Sequence, residues 1–419
     1  MKFLGFFILL SFFSYRAHSG ETYGVILSGG FNLENNHYRY YNNIQEMYSA
    51  FRSAGLKRDN ITTLYADGAE KGADTIRPNP WTLGFTNQEI DTPASLEGDG
   101  ERDIKYSATS SGISATFDDL AKKVKPGDNL VFFITDHGGK YDGIVLWNGH
   151  SYSVGDLRIQ LSKLPSTVTV QIATNICFGG QLLRLTAPNV CVVSNANDRE
   201  VTSSNTNDDP FASSMANAIK KPKGNTNARA SLMDAFEAGK DDDKWANKHH
   251  LTSIDYFIER QSLIAPETQA SISCSNGESP ITNIQKEIMD ISNYLSRVND
   301  PRKDYYEKYL QQKLKDAASS LDSFRIQYSQ WLRSGYQEDL DNLKAKWTSL
   351  SAREKQAQRP YYTKLAEKLR AEDSSQRKKI EDLEEDQKRA LAEMRFLKNA
   401  SANQLEEYYS IRRCLEHAI

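Results

Sequence analysis

The hydrophobic pattern of this chain centres on two apolar runs, each ending in one reactive residue. Leu130-Val131-Phe132-Phe133-Ile134 leads into Thr135-Asp136-His137-Gly138-Gly139. Val168-Thr169-Val170-Gln171-Ile172-Ala173-Thr174-Asn175-Ile176 leads into Cys177-Phe178-Gly179-Gly180. Both runs are short, rich in β-branched and aromatic residues and closed by glycines, the pattern of strands buried on both faces in a parallel sheet. Each puts its reactive residue at the carboxyl end of a strand, the edge at which open α/β sheets build their sites. His137 and Cys177 lie 40 residues apart. They meet only if their strands are neighbours, and the helical stretch near Asp156–Leu164 is long enough for that crossover.

The rest of the first two-thirds alternates in the same way. Tyr23 to Gly30 predicts a strand and its turn; the glycine pair lacks the lysine and spacing of a phosphate loop. Ile44, Met47, Tyr48 and Phe51 recur at helical spacing and predict a helix over 44–56, with Gly55 at its end. Ile61 to Ala66 predicts a second strand. Residues 67–112, rich in Gly, Asp and Pro without a sustained period, predict a long irregular insertion. A helix over 117–124 then leads into the His137 run. Asn148-Gly149 between Gly143–Trp147 and Ser151–Ser153 predicts a type I′ hairpin overhanging the His137 end. Beyond Cys177 the pattern predicts a helix at 181–185, a strand at 189–196 and helices at 211–219 and 228–238. His249-His250 are adjacent and would face different directions on a helix, which argues against a metal site.

The pattern changes near Pro266. Residues 266–280 read as a polar linker, and 281–419 as charged, glycine-poor helix. Ile281, Ile284, Ile288, Ile291, Leu295 and Val298 form one apolar stripe; Ile380, Leu383, Ala390, Met394 and Leu397 form another. Pro301 and Pro360 divide this region into about three helical stretches. The organisation expected is a signal peptide over 1–20, an α/β domain over 21–265, the linker, and an all-α helical bundle or coiled coil over 281–419.

Composition adds four constraints. The apolar core Phe3–Phe13 after Lys2, followed by Ala17-His18-Ser19-Gly20, has the form of a secretory signal, too short to span a bilayer. No later stretch is apolar enough for a span, so export as a secreted or periplasmic protein is expected. A net charge of −3 gives no electrostatic case for nucleic acid. Four cysteines are too few for a disulfide scaffold in 419 residues. Cys191, in an apolar run, is expected as a buried thiol, and a Cys274–Cys414 pair stays open.

A thiol is a weak nucleophile until it loses its proton, and an imidazole and a following helix start both favour the thiolate. Glycines beside both residues leave backbone N–H groups open to a substrate carbonyl. With the strand–Asp-His-Gly and strand–Cys-x-Gly-Gly order, the chain resembles the caspase-like cysteine peptidases, most of all the legumain family of asparaginyl endopeptidases. Phe132-Phe133-Ile134-Thr135-Asp136-His137-Gly138 nearly matches that family's histidine motif. The cysteine motif departs: Asn175-Ile176-Cys177-Phe178-Gly179-Gly180 stands where legumains have Glu-Ala-Cys-Glu-Ser-Gly. Asn36-His37-Tyr38-Arg39-Tyr40-Tyr41-Asn42-Asn43 resembles the family's Asn-Tyr-Arg-His segment, and Asn197-Asp198-Arg199-Glu200 its Asn-Pro-Arg-Glu stretch. The resemblance covers about Tyr23 to Ile264.

The resemblance implies a caspase-like, mostly parallel sheet flanked by helices. It implies Cys177 as nucleophile, His137 as acid–base partner, and the N–H groups of Gly138 and Cys177 as oxyanion donors. Arg39 matches the family's arginine in the pocket for the residue before the scissile bond, the P1 residue. Asn175 and Asp209 complete the substrate-binding set. His37 stands where the family has the asparagine that orients the histidine. No metal or organic cofactor is implied, and the partner is a peptide or protein cut after Asn or Asp. The helical tail is expected as an intramolecular inhibitor, cut free near Asn276-Gly277 or Asn283, or as a partner-binding module. A transpeptidase using the same thioacyl intermediate, and a non-catalytic protein acting through its tail, are the alternatives.

Overall fold

A computed structural model describes residues 20–79, 86–141, 143–202, 209–222, 229–243, 250–264 and 301–419. The expected signal peptide, linker, stripe at 281–298, cleavage points and Cys274 lie outside these residues.

The chain opens with β1 (Thr22–Ser28), α1 (Tyr38–Ser53) and β2 (Ile61–Tyr65). An antiparallel pair follows, β3 (Thr75–Pro78) and β4 (Asn87–Ile90), then β5 (Ile104–Tyr106) and α2 (Ser110–Lys123). β6 (Asn129–Asp136) ends at the histidine, and β7 (Gly138–Gly139), β8 (Gly143–Val145) and β9 (Ser151–Tyr152) form a small antiparallel sheet beyond it. α3 (Val154–Leu161) leads to β10 (Thr169–Ile176), which ends at the cysteine, and then comes β11 (Val190–Ser194). α4 (Pro210–Lys220), α5 (Leu232–Asp242), β12 (Leu251–Thr252) and α6 (Ser253–Ile264) complete the α/β part. The helical region comprises α7 (Pro301–Trp331), α8 (Gln337–Ser349), α9 (Ala352–Asn399) and α10 (Ala402–Leu415).

The central sheet has seven strands in the order β12-β11-β10-β6-β1-β2-β5, parallel except for β12. β6 is buried along its whole length, as a strand covered on both faces must be. One face carries α2 and α3 over Phe117, Phe132, Leu157 and Ile172. The other carries α1, α4 and α5 over Ile26, Phe51, Phe133 and Phe211. α1 reaches it through Ile44, Met47, Tyr48 and Phe51, all at most 1% exposed. Each such side chain contributes about 1.5–3 kcal/mol by leaving water.

Three expectations change. Residues 67–112 are not irregular throughout: they hold the β3–β4 pair, sheet strand β5 and the start of α2, which Thr109 caps. β5 is only three residues long and Arg58 pairs with Asp103 beside it, a tertiary arrangement with no periodic signature. Pro360 lies inside α9, not at its end; the break falls at Leu350–Ser351, where Ser351 and Glu354 form a capping box. Pro360 and Gln356, whose carbonyl loses its partner, are both exposed, so water can satisfy that group. The helical stretch after Cys177 is a short 3-10 segment, Gly179–Leu185. The hairpin at Asn148-Gly149 forms, with φ of 62° and 72°, but β8 and β9 are joined by a longer connection with a 3-10 turn over Trp147–Gly149 rather than by a two-residue turn.

The largest correction concerns the tail. Cys191, expected as a buried thiol, pairs with Cys414 across 223 residues of sequence, which closes the question of a Cys274–Cys414 pair. α10 lies on β10 and β11: Gln171 Nε2 donates to the carbonyls of Cys414 and His417, both at 2.9 Å. Ile419 N–H donates to Ala230 O at 2.9 Å. Tyr408, Ile411, Leu415 and Ile419 are fully buried in the core that α1 and α4 share. Arg412 and Tyr408 both bond the Glu393 carboxylate, which joins α10 to α9. A chain ending at Ala265 would lose this covering of β10 and β11. Farther out, α7 and α8 run antiparallel to α9 as a hairpin, tied by Arg325–Glu384 and by Tyr328 to Asp373 at 2.6 Å. Among the described residues no helix is long and apolar enough to cross a membrane.

Cys414→Ser should lower stability by about 2–5 kcal/mol, the range for losing a disulfide that closes a long loop. Urea midpoints of the variant and of the parent, unreduced and reduced, test this; reduction should move only the parent.

Candidate functional site

β6 and β10 pair in parallel register from Asn129↔Thr169 to Asp136↔Ile176. His137 and Cys177 follow directly on the last pair, Asp136↔Ile176, at the same end of adjacent strands. The loops touch directly beyond them: a Cβ on Gly138 would sit 1.9 Å from Cys177 O, so only glycine fits. Gln181 Nε2 donates to Gly139 O at 2.8 Å and fastens the cysteine loop to the histidine loop. Val145 N–H donates to His137 O at 3.2 Å, so Gly138 and Ile144 form a non-hydrogen-bonded pair. The Gly138 N–H therefore points out of that ladder.

Asp136 supports the histidine from below. Its φ of 153° is a region that favours glycine, and three bonds hold it there. Its carboxylate accepts from Ser28 Oγ at 2.7 Å, from His137 N–H at 2.6 Å and from Gly30 N–H. Burial pushes this carboxyl above its ordinary range, while His137 and these donors pull it down. On the imidazole, Nε2 lies 3.0 Å from Asn35 O. A carbonyl only accepts, so Nε2 carries the proton and Nδ1 is left as an acceptor. The orienting contact thus comes from the Asn35 backbone. His37 stands at the N-cap of α1 without a capping bond, its ring centroid 6.2 Å from that of Tyr40. Burial, then the positive charges of Arg39 and His137, push the His37 imidazole down to about 4.

Cys177 is the one free cysteine among the described residues and is part-exposed. Thr202 N–H donates to its Sγ at 3.3 Å, and the Thr202 hydroxyl lies 3.6 Å away. Phe178, left-handed at φ 57°, donates its N–H to Glu200 O at 2.7 Å, so the loop after β11 is docked on the cysteine turn.

The expected substrate-binding residues fall along α1 and the strand ends. Asn175 Nδ2 donates to the buried Asp209 Oδ2 at 2.7 Å, and Asn195 donates to Asn175 Oδ1. Asp209 is also the N-cap residue of α4, before Pro210. Asn43 Nδ2 reaches Thr135 Oγ1 at 2.8 Å and Asp209 Oδ2 at 3.4 Å. Arg39 lies one turn before Asn43 on α1 and donates to Tyr40 Oη at 2.7 Å. α1 therefore spans the histidine end and the Asp209 end of the site. Tyr40, Asn35, Asp136 and Thr202 escaped the sequence reading. Tyr40 and Asp136 stood inside quoted motifs; Asn35 and Thr202 act here through backbone atoms, which leave no residue-type signal. Among the described residues no cluster of three or more His, Cys, Asp or Glu side chains is placed to hold a metal. His250 is instead buried against Phe211, bonding Asp243 at 3.0 Å.

Behind the Asn35–His37 segment, Asn36 Nδ2 donates to Asp74 O at 2.8 Å and Thr75 bonds Asn36 O. The Asp74 carboxylate accepts from Thr92 and faces Asp67, with one oxygen of each acid buried and without a donor. Burial, then sharing with Asp74 and the charges of Asp74, Glu70 and Asp91, push Asp67 up to about 7. The fold favours protonated Asp67, so its contribution to stability is complete below about pH 4 and is lost as pH rises through about 7. Asp67→Asn should remove that fall. Melting temperatures at pH 5 and pH 8 should differ more in the parent than in the variant; equal differences would exclude a protonated Asp67 at neutral pH.

No protein-family model matches this chain, and no curated protein matches it.

Proposed function

We propose that this protein is a caspase-like cysteine endopeptidase of legumain type, exported from the cell and cutting after Asn or Asp. One observation carries the reading: the β6–β10 register that makes His137 and Cys177 lateral neighbours, with Gly138 pressed against the Cys177 carbonyl. The resemblance of the two strand-end motifs supports it independently.

In this reading the Cys177 sulfur attacks the peptide carbonyl and forms a thioester. His137, its Nε2 proton engaged by Asn35, receives the thiol proton on Nδ1 and gives it to the leaving amine. It then takes a proton from the water that hydrolyses the thioester. The N–H groups of Gly138 and Cys177 face the developing oxyanion. A P1 carboxamide is recognised from two sides, its oxygen by the Arg39 guanidinium and its NH2 by the Asp209 carboxylate.

A peptidyl acyloxymethyl ketone with P1 Asn should label Cys177, seen by mass spectrometry of its tryptic peptide. Cys177→Ala and His137→Ala should each reduce peptide cleavage by about 10⁵–10⁶, the scale seen when a nucleophile or its base is removed. Wild-type turnover in Cys177→Ala would reject the mechanism. Arg39→Ala should lower kcat/KM on a P1 Asn peptide by about 2–4 kcal/mol, the cost of leaving a specific polar group unpaired. An unchanged kcat/KM would remove Arg39 from the pocket.

A further inference from the structure

Tyr40 occupies the space between the arginine assigned to the P1 pocket and the histidine. It sits in the first turn of α1 and is buried to 4% exposure. On one side Arg39 Nη2 donates to its hydroxyl at 2.7 Å, and the guanidinium carbon stands 4.5 Å from the ring centroid. On the other side the hydroxyl lies 3.5 Å from His137 Nε2. The two rings meet edge to face, their centroids 5.3 Å apart at 70°. Resting on the peptidase reading above, we propose that Tyr40 is the positioning residue of the His137 imidazole and couples it to Arg39.

The geometry gives the reason. Asn35 O holds the Nε2 proton from one direction, but one hydrogen bond leaves a ring free to rock about it. The Tyr40 edge closes that freedom from the α1 side, and Arg39 in turn fixes the Tyr40 hydroxyl. Burial, then the charge of Asp136, push the phenol far above its ordinary range, so Tyr40 stays a neutral hydroxyl beside Arg39. When acyl transfer makes His137 an imidazolium, a neutral oxygen stands between two cations and accepts from one of them. A substrate side chain that engages Arg39 acts on the same hydroxyl, so P1 recognition reaches the base through one residue.

The test uses the full chain with Tyr40→Phe, which keeps the ring and removes the oxygen, and Tyr40→Leu, which removes both. On a P1 Asn peptide, Tyr40→Phe should lower kcat about tenfold with KM within about twofold, and Tyr40→Leu should lower it further. Arg39→Ala added to Tyr40→Phe should cost less in kcat than on the parent, since the two residues act through one contact. Independently of activity, long-range ¹H–¹⁵N spectra of ¹⁵N-histidine protein should show His137 as a single Nε2–H tautomer in the parent. In Tyr40→Phe they should show a tautomer mixture or exchange broadening. A His137 spectrum in Tyr40→Phe identical to the parent's overturns the proposal, whatever the activity. If the parent neither cleaves nor takes the P1 Asn probe, the peptidase reading fails by itself, and the His137 spectra still decide whether Tyr40 positions the ring.

Discussion

The pairing of β6 with β10 is the constraint on which the rest depends. Two buried parallel strands with a fixed register leave no freedom in where their ends fall, because a slip of one residue would turn every buried side chain over. That register brings Cys177 beside His137. It also dictates the unusual local chemistry: a glycine at 138, where a Cβ would overlap a carbonyl, and a strained backbone at Asp136. The strain persists because a buried carboxylate with three donors surrounds it.

α1 is the second element of the site. Its apolar face is sunk in the core through Ile44, Met47 and Phe51, which fixes the helix rigidly. Its first turns then carry the polar work: Asn35 just before it holds the imidazole, Tyr40 packs on it, and Asn43 reaches Asp209. The Asp74 carbonyl and the Thr75 hydroxyl brace the same segment from behind through Asn36. Positioning here passes through backbone atoms and packed rings, and each depends on the burial of the layer beneath.

The helical region joins this architecture at its root. Its final helix is a covering layer of the sheet, held by a disulfide and by Gln171, a buried amide on the strand that ends at Cys177. The α7–α9 hairpin leaves the body and returns to it. A tail anchored at its far end is linked to the α/β part after any cut in the preceding segment, as long as the disulfide is intact. That differs from a tail that simply dissociates.

The sequence by itself determined five of the seven central strands, β1, β2, β6, β10 and β11, the reactive residues that end two of them, and most helices, because burial on both faces demands unbroken apolar runs and amphipathic helices repeat their apolar positions. His137, Gly138 and Cys177 were legible for the same reason: they end those runs. The Asn148-Gly149 turn was legible because few residue pairs accept two positive φ angles. Only the tertiary structure decided the partner of Cys414, since a disulfide depends on which backbones approach and not on spacing. It alone placed β5, three residues long with nothing periodic to announce it. It alone gave the His137 contacts to Asn35 and Tyr40, one a backbone carbonyl and the other a tyrosine like any other until the fold sets an imidazole against its edge.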